Sequence, residues 1–144
     1  WVLFNEGWGQ FETARVTELA RREDATRLID AASGWFDQGC GDFQSLHNYF
    51  FPMRMEPEEK RATVLSEYGG YSLIVPGHTS SEDLYGYGTY QDTASLQEAF
   101  DKRETEVKAL IPQGLCASIY TQVSDIEDEV NGIFTYDREV QKLN

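Results

Sequence analysis

Blocks of apolar residues divide the chain into segments with the spacing of strands and helices. Trp1–Phe4 is an uninterrupted apolar run, which is typical of a strand that is buried on both faces. From Phe11 to Arg22 the apolar residues recur at helical spacing, which predicts an amphipathic helix whose buried stripe is Phe11, Ala14, Leu19 and Ala20. The same criteria predict a second helix from Ser95 to Leu110, and strands at Leu28–Ala32, Phe43–Tyr49, Ala62–Ser66 and Leu115–Gln122.

The order of these elements indicates the fold class. Apolar strands without clean alternation, interspersed with helices, are typical of the parallel sheet of an α/β protein. In such sheets the carboxyl ends of the strands form the ligand site. Polar residues capable of chemistry lie where the predicted strands end: Asn5, Glu6, Asp30, His47, Asn48, Tyr49, Glu67 and Gln122. The pattern therefore predicts a site as well as a fold.

Composition narrows the classes of partner. The chain has 144 residues, with 25 acidic and 12 basic side chains and a formal net charge of −13. Nucleic acids and anionic membranes both attract basic surfaces, so this balance disfavours both partners. No apolar run approaches the roughly 20 residues of a membrane span. Two cysteines, Cys40 and Cys116, are too few for a disulfide scaffold and leave the cellular compartment open.

Glu6 and Glu67 are the strongest candidates for catalysis. Each directly follows a predicted apolar strand, and Gly7 or Tyr68-Gly69 comes next. Two carboxylates that face one pocket can divide the work, because one protonates a leaving group while the other attacks or activates water. Glycoside hydrolysis requires this pair. The alternative is that either side chain caps a helix or lies exposed in a loop.

The residues around these carboxylates resemble the motifs of family 2 glycoside hydrolases, the β-galactosidase and β-glucuronidase group. Leu3–Trp8 is similar to the family's acid/base motif, and Val64–Gly70 is similar to its nucleophile motif. Leu46–Tyr49 and the run from Tyr120 to Arg138 resemble the strand 6 and strand 8 regions of its barrel. The resemblance implies an α/β fold in which residues 1–144 form the C-terminal portion of a (β/α)8 TIM barrel, with strands 4 to 8 present and strands 1 to 3 absent.

The same resemblance implies roles for individual residues. Glu6 would be the general acid/base, Glu67 the nucleophile, and Asn5 the hydrogen-bond partner of the sugar 2-hydroxyl. Tyr49 would orient Glu67. The alternative is that Tyr49 is an aromatic residue of the core whose hydroxyl has a hydrogen-bond partner elsewhere. Substrate contacts are also expected from Trp8, by stacking on a sugar ring, and from His47 and Asn48. For His47 the alternative is a buried imidazole that donates to a backbone carbonyl.

The sequence also departs from the family pattern. Residues 121–125 lack the tryptophan that forms the base of the sugar subsite in many members. The Asn-x-Lys signature that recognises a glucuronide is also missing from the sequence, and its absence favours a neutral hexoside as substrate. No cofactor is expected, and His47 and His78 have no cysteine neighbours at the spacing of a zinc site. The acidic residues from Asp125 to Glu129 lack EF-hand spacing and are expected to be a solvated loop.

The sequence thus predicts a retaining β-galactosidase-like hydrolase that acts on a carbohydrate. The alternative is an inactive barrel fragment that only binds carbohydrate or serves a structural purpose. Because the first strand would lack its neighbour in such a fragment, we also expect a second copy or a complementing chain as partner.

Overall fold

A computed structural model describes residues 1–81 and 83–144. Neither helix in this part of the chain has the length and apolar character needed to cross a membrane. The elements in chain order are helix α1 (Thr13–Glu23), strands β1 (Phe43–Asn48), β2 (Ala62–Gly69), β3 (Tyr71–Ser72) and β4 (Gly88–Thr89), helix α2 (Thr93–Lys108), a 3-10 turn (Ile111–Gln113) and strand β5 (Leu115–Thr121).

Both predicted helices form, but their details differ from the prediction. Helix α1 buries Thr13 and Thr17, whereas the predicted stripe residues Phe11 and Leu19 are exposed. Helix α2 begins one turn earlier than the expected cap at Ser95, because the Asp92 side chain accepts a hydrogen bond of 2.7 Å from the Ser95 amide. The helix ends before Pro112, as predicted.

The strands form two small sheets. One has three strands in the order β1-β2-β5, and in the other β3 pairs with β4 in parallel. Strands β1, β2 and β5 were all predicted from the apolar pattern. Trp1–Phe4 and Leu28–Ala32 were also predicted as strands, but these segments make only isolated parallel bridges, Val2 with Asp30 and Asn5 with Ser33.

The prediction of a partial (β/α)8 barrel with strands 4 to 8 is wrong. Within the described residues there is no succession of parallel strands with a helix after each one. Between β1 and β2, Pro52 and Pro57 each lack the amide that a helix interior needs, and no helix forms there. Trp1 and Val2 are 56 % and 64 % exposed, so the apolar run that predicted a doubly buried strand does not have that environment.

The chain divides into two compact units. The first contains residues 1–48, 54–67 and 110–118, and the second contains residues 49–53, 68–109 and 119–144. In the second unit, an apolar cluster of Tyr71, Leu73, Leu96 and Leu143 forms the core.

A buried ion pair lies in the second unit. The Lys142 ammonium donates hydrogen bonds to Asp125 Oδ1 at 2.6 Å and to the carbonyls of Leu73 and Val130 at 3.2 and 2.9 Å. Burial lowers the pKa of Lys142 and raises that of Asp125. Asp125 therefore belongs to the interior, which corrects the prediction that it lies in a solvated loop.

The interior of the first unit has a polar layer beside its apolar core. Ile29, Val64 and Leu65 are buried, and so are Asp30 and Ser45. Since buried polar groups require partners, this layer is held together by hydrogen bonds between side chains. It lies where the sequence predicted the candidate site.

Candidate functional site

The backbone of Glu6 is fixed by the segment that contains Ser33. The Glu6 amide donates to the Ser33 carbonyl at 2.9 Å, and the Ser33 amide donates to the Phe4 carbonyl at 2.8 Å. Glu6 has a φ of +52°, in the left-handed region that residues with a side chain rarely adopt. Strained backbone of this kind costs about 1–3 kcal/mol and is concentrated at functional sites.

His47 lies near the end of β1, and its side chain is completely buried. Its ring packs against Gly34, where a Cβ atom would lie 2.5 Å from the imidazole. Gly34 also has a φ of +84°, so glycine is required there both by the backbone and by the close approach of the ring.

The His47 imidazole joins the two predicted catalytic carboxylates. His47 Nδ1 lies 2.9 Å from Glu6 Oε1 and 3.4 Å from Glu67 Oε2. Each of the three side chains offers one donor atom that lies within 4.8 Å of a donor atom of the other two. The Glu6 and Glu67 side chains are 19 % and 31 % exposed, so both carboxylates remain accessible from solvent while the imidazole does not.

On its other side, the imidazole contacts a row of buried hydroxyls. His47 Nε2 lies 2.9 Å from Ser33 Oγ, which in turn lies 3.4 Å from the hydroxyls of Ser45 and Ser66. Ser45 Oγ is 2.6 Å from Ser66 Oγ and donates to Asp30 Oδ2 at 2.7 Å. The chain of contacts therefore runs from a buried carboxylate through three hydroxyls to the imidazole.

The directions of these bonds indicate the tautomer of His47. Nδ1 faces two carboxylate oxygens, which are acceptors, so the neutral ring is best satisfied with its proton on Nδ1. Nε2 is then an acceptor for the Ser33 hydroxyl. His47 thus holds both carboxylates through a single N–H group, with the closer contact to Glu6.

The sequence did not reveal the serines of this network. Ser33, Ser45 and Ser66 carry no distinctive spacing, and serine is common in loops and at strand ends. One local signal was present, because Ser45 and His47 are two residues apart in β1 and therefore point to the same face. The glycine after Ser33 was a second signal of a close approach.

The other predicted site residues have different surroundings. Asn5 and Asn48 flank the cluster in sequence and belong to the first unit, as does Trp8, which is 82 % exposed. Tyr49 belongs to the second unit, where its ring stacks on Tyr87 with centroids 3.8 Å apart and its hydroxyl lies 3.0 Å from Thr121 Oγ1. The hydrogen bond expected from Tyr49 to Glu67 stays a prediction.

Among the residues that the structure describes, two groups of side chains have donor atoms close enough for a metal ion. One is Glu6, His47 and Glu67, and the other is His78, Asp137 and Glu139 in the second unit. His78 Nδ1 lies 2.7 Å from Asp137 Oδ2, and both side chains are partly exposed, at 29 % and 36 %.

No family model matches this chain, and no curated protein matches it either.

Proposed function

We propose that this protein hydrolyses β-glycosides with retention of configuration and resembles the family 2 glycosidases in its catalytic residues. The observation that carries the proposal is the closeness of the two carboxylates, since one oxygen of Glu6 lies within 4.8 Å of one oxygen of Glu67. Retaining enzymes have carboxyl groups about 5–5.5 Å apart, whereas inverting enzymes need roughly 6.5–9.5 Å to admit a water molecule. The separation therefore favours the retaining arrangement.

In the first step, Glu6 and Glu67 act on opposite ends of the bond that breaks. The Glu67 carboxylate attacks the anomeric carbon, while the Glu6 carboxyl gives its proton to the glycosidic oxygen, so the aglycone leaves as a neutral alcohol. The anomeric carbon is then joined to Glu67 as a glycosyl ester, and Glu6 is left ionised.

In the second step, the roles of Glu6 are reversed. Its carboxylate removes a proton from a water molecule, whose oxygen attacks the anomeric carbon and displaces Glu67. The sugar leaves with its original configuration, and both carboxyl groups return to their starting states.

His47 supports this division as a positioning residue. Its Nδ1–H contacts both carboxylates, at 2.9 and 3.4 Å, and stabilises negative charge on each. Glu67 carries the negative charge before the glycosyl ester forms, and Glu6 carries it afterwards. Because the His47 N–H group contacts both carboxylates, it can stabilise the negative charge in either state. Asn5 is proposed to contact the sugar 2-hydroxyl and Trp8 to stack on a sugar ring.

A neutral, β-galactoside-like hexoside is the proposed substrate. The net charge of −13 disfavours an anionic uronide, since like charges repel as the substrate approaches. The absence of the Asn-x-Lys signature in the sequence is consistent with this choice.

The experiment is a comparison of nitrophenyl β-galactoside, β-glucoside and β-mannoside as substrates. We expect the galactoside to be hydrolysed fastest and Glu67→Gln to reduce its turnover below detection, because an amide is a poor nucleophile. Glu6→Gln is expected to lower turnover by about 10²–10⁴-fold, as is typical for the loss of a general acid/base.

Glu59→Gln is the matched control, since it removes one exposed carboxylate from the same unit. Turnover that survives Glu67→Gln would contradict the nucleophile assignment. Saturable binding of galactoside with no turnover by the unsubstituted protein would instead favour a carbohydrate-binding protein without catalysis.

A further inference from the structure

The atoms of Glu6, His47 and Glu67 that face one another have the spacing of metal ligands. A tetrahedral zinc ion is bound at about 2.0–2.1 Å by nitrogen and oxygen ligands, which places the ligand atoms about 3.3 Å apart. His47 Nδ1 lies 2.9 and 3.4 Å from the two carboxylate oxygens. Small side-chain rotations are therefore sufficient to bring all three atoms into contact with one ion.

The surroundings of His47 can satisfy the tautomer that a metal requires. An ion bound at Nδ1 needs the ring proton on Nε2, where Ser33 Oγ lies at 2.9 Å. A serine hydroxyl both donates and accepts, so Ser33 can accept from Nε2–H and turn its own hydrogen towards Ser66 Oγ at 3.4 Å. Metal-ligating histidines commonly have such a partner on the second nitrogen.

The donor set and its exposure indicate the class of ion. One imidazole and two carboxylates suit zinc and other first-row divalent ions, whereas calcium prefers oxygen ligands alone. The His47 side chain is fully buried and preoriented, while the partly exposed carboxylates leave a path for entry and a position for water. The positive charge of a bound divalent ion would also balance the negative charges of two ionised carboxylates.

We propose that Glu6, His47 and Glu67 together form a binding site for a divalent transition-metal ion such as zinc, through one donor atom from each side chain. The ion occupies the side-chain atoms that the reaction needs, so it inhibits glycoside hydrolysis. The inhibition rests on the proposed function, but the binding does not.

Titration calorimetry of the purified chain with zinc chloride tests the binding in the absence of any glycoside. We expect one ion per chain in the unsubstituted protein and an affinity lowered by more than about 10-fold in His47→Ala. Ser33→Ala, which leaves all three ligands in place, is expected to lower the affinity by about 10-fold through loss of the partner on Nε2. Cobalt provides a second readout, because a four-coordinate site gives it a visible absorption band.

His78→Ala is the matched control, since it removes the histidine of the other candidate group. We expect it to bind zinc as the unsubstituted protein does. Binding that persists in both His47→Ala and Ser33→Ala, or that disappears in His78→Ala, would overturn the proposal, as would an absence of binding in the unsubstituted protein.

The two proposals fail separately. A chain that binds zinc through His47 and hydrolyses no glycoside refutes the proposed function alone. A chain that hydrolyses the galactoside without binding zinc refutes the metal site alone. If both hold, zinc lowers the rate, and a chelator restores it.

Discussion

In two clusters of the described residues a histidine contacts carboxylates, and the clusters differ in how the histidine is held. In the first unit, the His47 side chain is fully buried, and both ring nitrogens have side-chain partners. In the second unit, His78 is 29 % exposed and contacts Asp137 through Nδ1. In this cluster the carboxylate makes most of the hydrogen bonds, because Asp137 Oδ1 also accepts from the Thr135 hydroxyl and the Glu139 amide.

The comparison shows that similar residue types do not make equivalent sites. The contact between His78 and Asp137 is partly exposed and competes with water, and it holds the His78 ring through one nitrogen, whereas Asp137 is held by further hydrogen bonds. A buried imidazole with partners on both ring nitrogens has one orientation, and the carboxylates beside it are held with it. Orientation of this kind is what positions groups for catalysis or for metal binding.

Replacing the two histidines in turn tests this comparison most severely. We expect His47→Ala to lower the free energy of unfolding by about 2–4 kcal/mol, because it leaves a cavity and deprives a buried hydroxyl and two carboxylates of their common partner. His78→Ala should cost less than about 1 kcal/mol, as is usual for exposed pairs. Urea denaturation of both variants measures the difference, and equal losses would contradict it.

Ser33→Ala is expected to have the next largest effect. The Ser33 hydroxyl is the partner of His47 Nε2 in the buried row, and its loss leaves that nitrogen unpaired. The expected cost is about 1–2 kcal/mol. Ser118→Ala, at an exposed position of β5, is the control and should change stability by less than about 0.5 kcal/mol. If the two serine variants unfold at the same urea concentration, the network does not stabilise the site.

The smallest effect is expected at Asp137 and depends on pH. Hydrogen bonds from the Thr135 hydroxyl, the Glu139 amide and His78 lower the pKa of Asp137 to about 2. The ordinary value for aspartate in an unfolded chain is about 3.9. A lowered pKa favours the ionised folded form, so this contribution to stability is complete above about pH 4 and is lost as the pH falls through 2.

Asp137→Asn removes that contribution. We expect the variant to lose less stability than the unsubstituted protein between pH 4 and pH 2, as measured by urea midpoints across that range. Parallel losses in the two proteins would show that Asp137 does not respond to acid in the way its hydrogen bonds indicate.

Local patterns in the sequence predicted most of the regular structure, but not its assembly. Both helices and strands β1, β2 and β5 lie where apolar periodicity placed them. The barrel was implied by the resemblance to family 2 glycosidases and does not form within the described residues, because short motifs and apolar periodicity contain no information about which strands become neighbours. Trp1–Phe4 illustrates the limit, since its apolar run was interpreted as doubly buried although Trp1 and Val2 are exposed.

The candidate site was predicted in a similar, partial way. Glu6, His47 and Glu67 were all identified from their positions where predicted strands end, and their donor atoms lie close together. The hydroxyls that contact His47 on its other side were not identified, because the hydrogen-bond partners of a serine depend on which residues the fold brings close to it. Two local signals were available, namely the alternation that places Ser45 and His47 on one face of β1 and the glycine that follows Ser33.

The parallel contacts of residues 1–6 with residues 28–33 have a consequence for how this sequence can change over time. They fix Glu6 and Ser33 in one register, through the bonds between Glu6 and Ser33 and between Ser33 and Phe4. Insertions in the exposed turn at residues 25–27 leave that register intact, so length variation there is tolerated. One residue added between Asp30 and Ser33 would shift the pairing by about 3.3 Å and reverse the sides to which side chains point. The length of the exposed turn can therefore change, in evolution or by engineering, whereas the length of the stretch from Asp30 to Ser33 is fixed by the pairing.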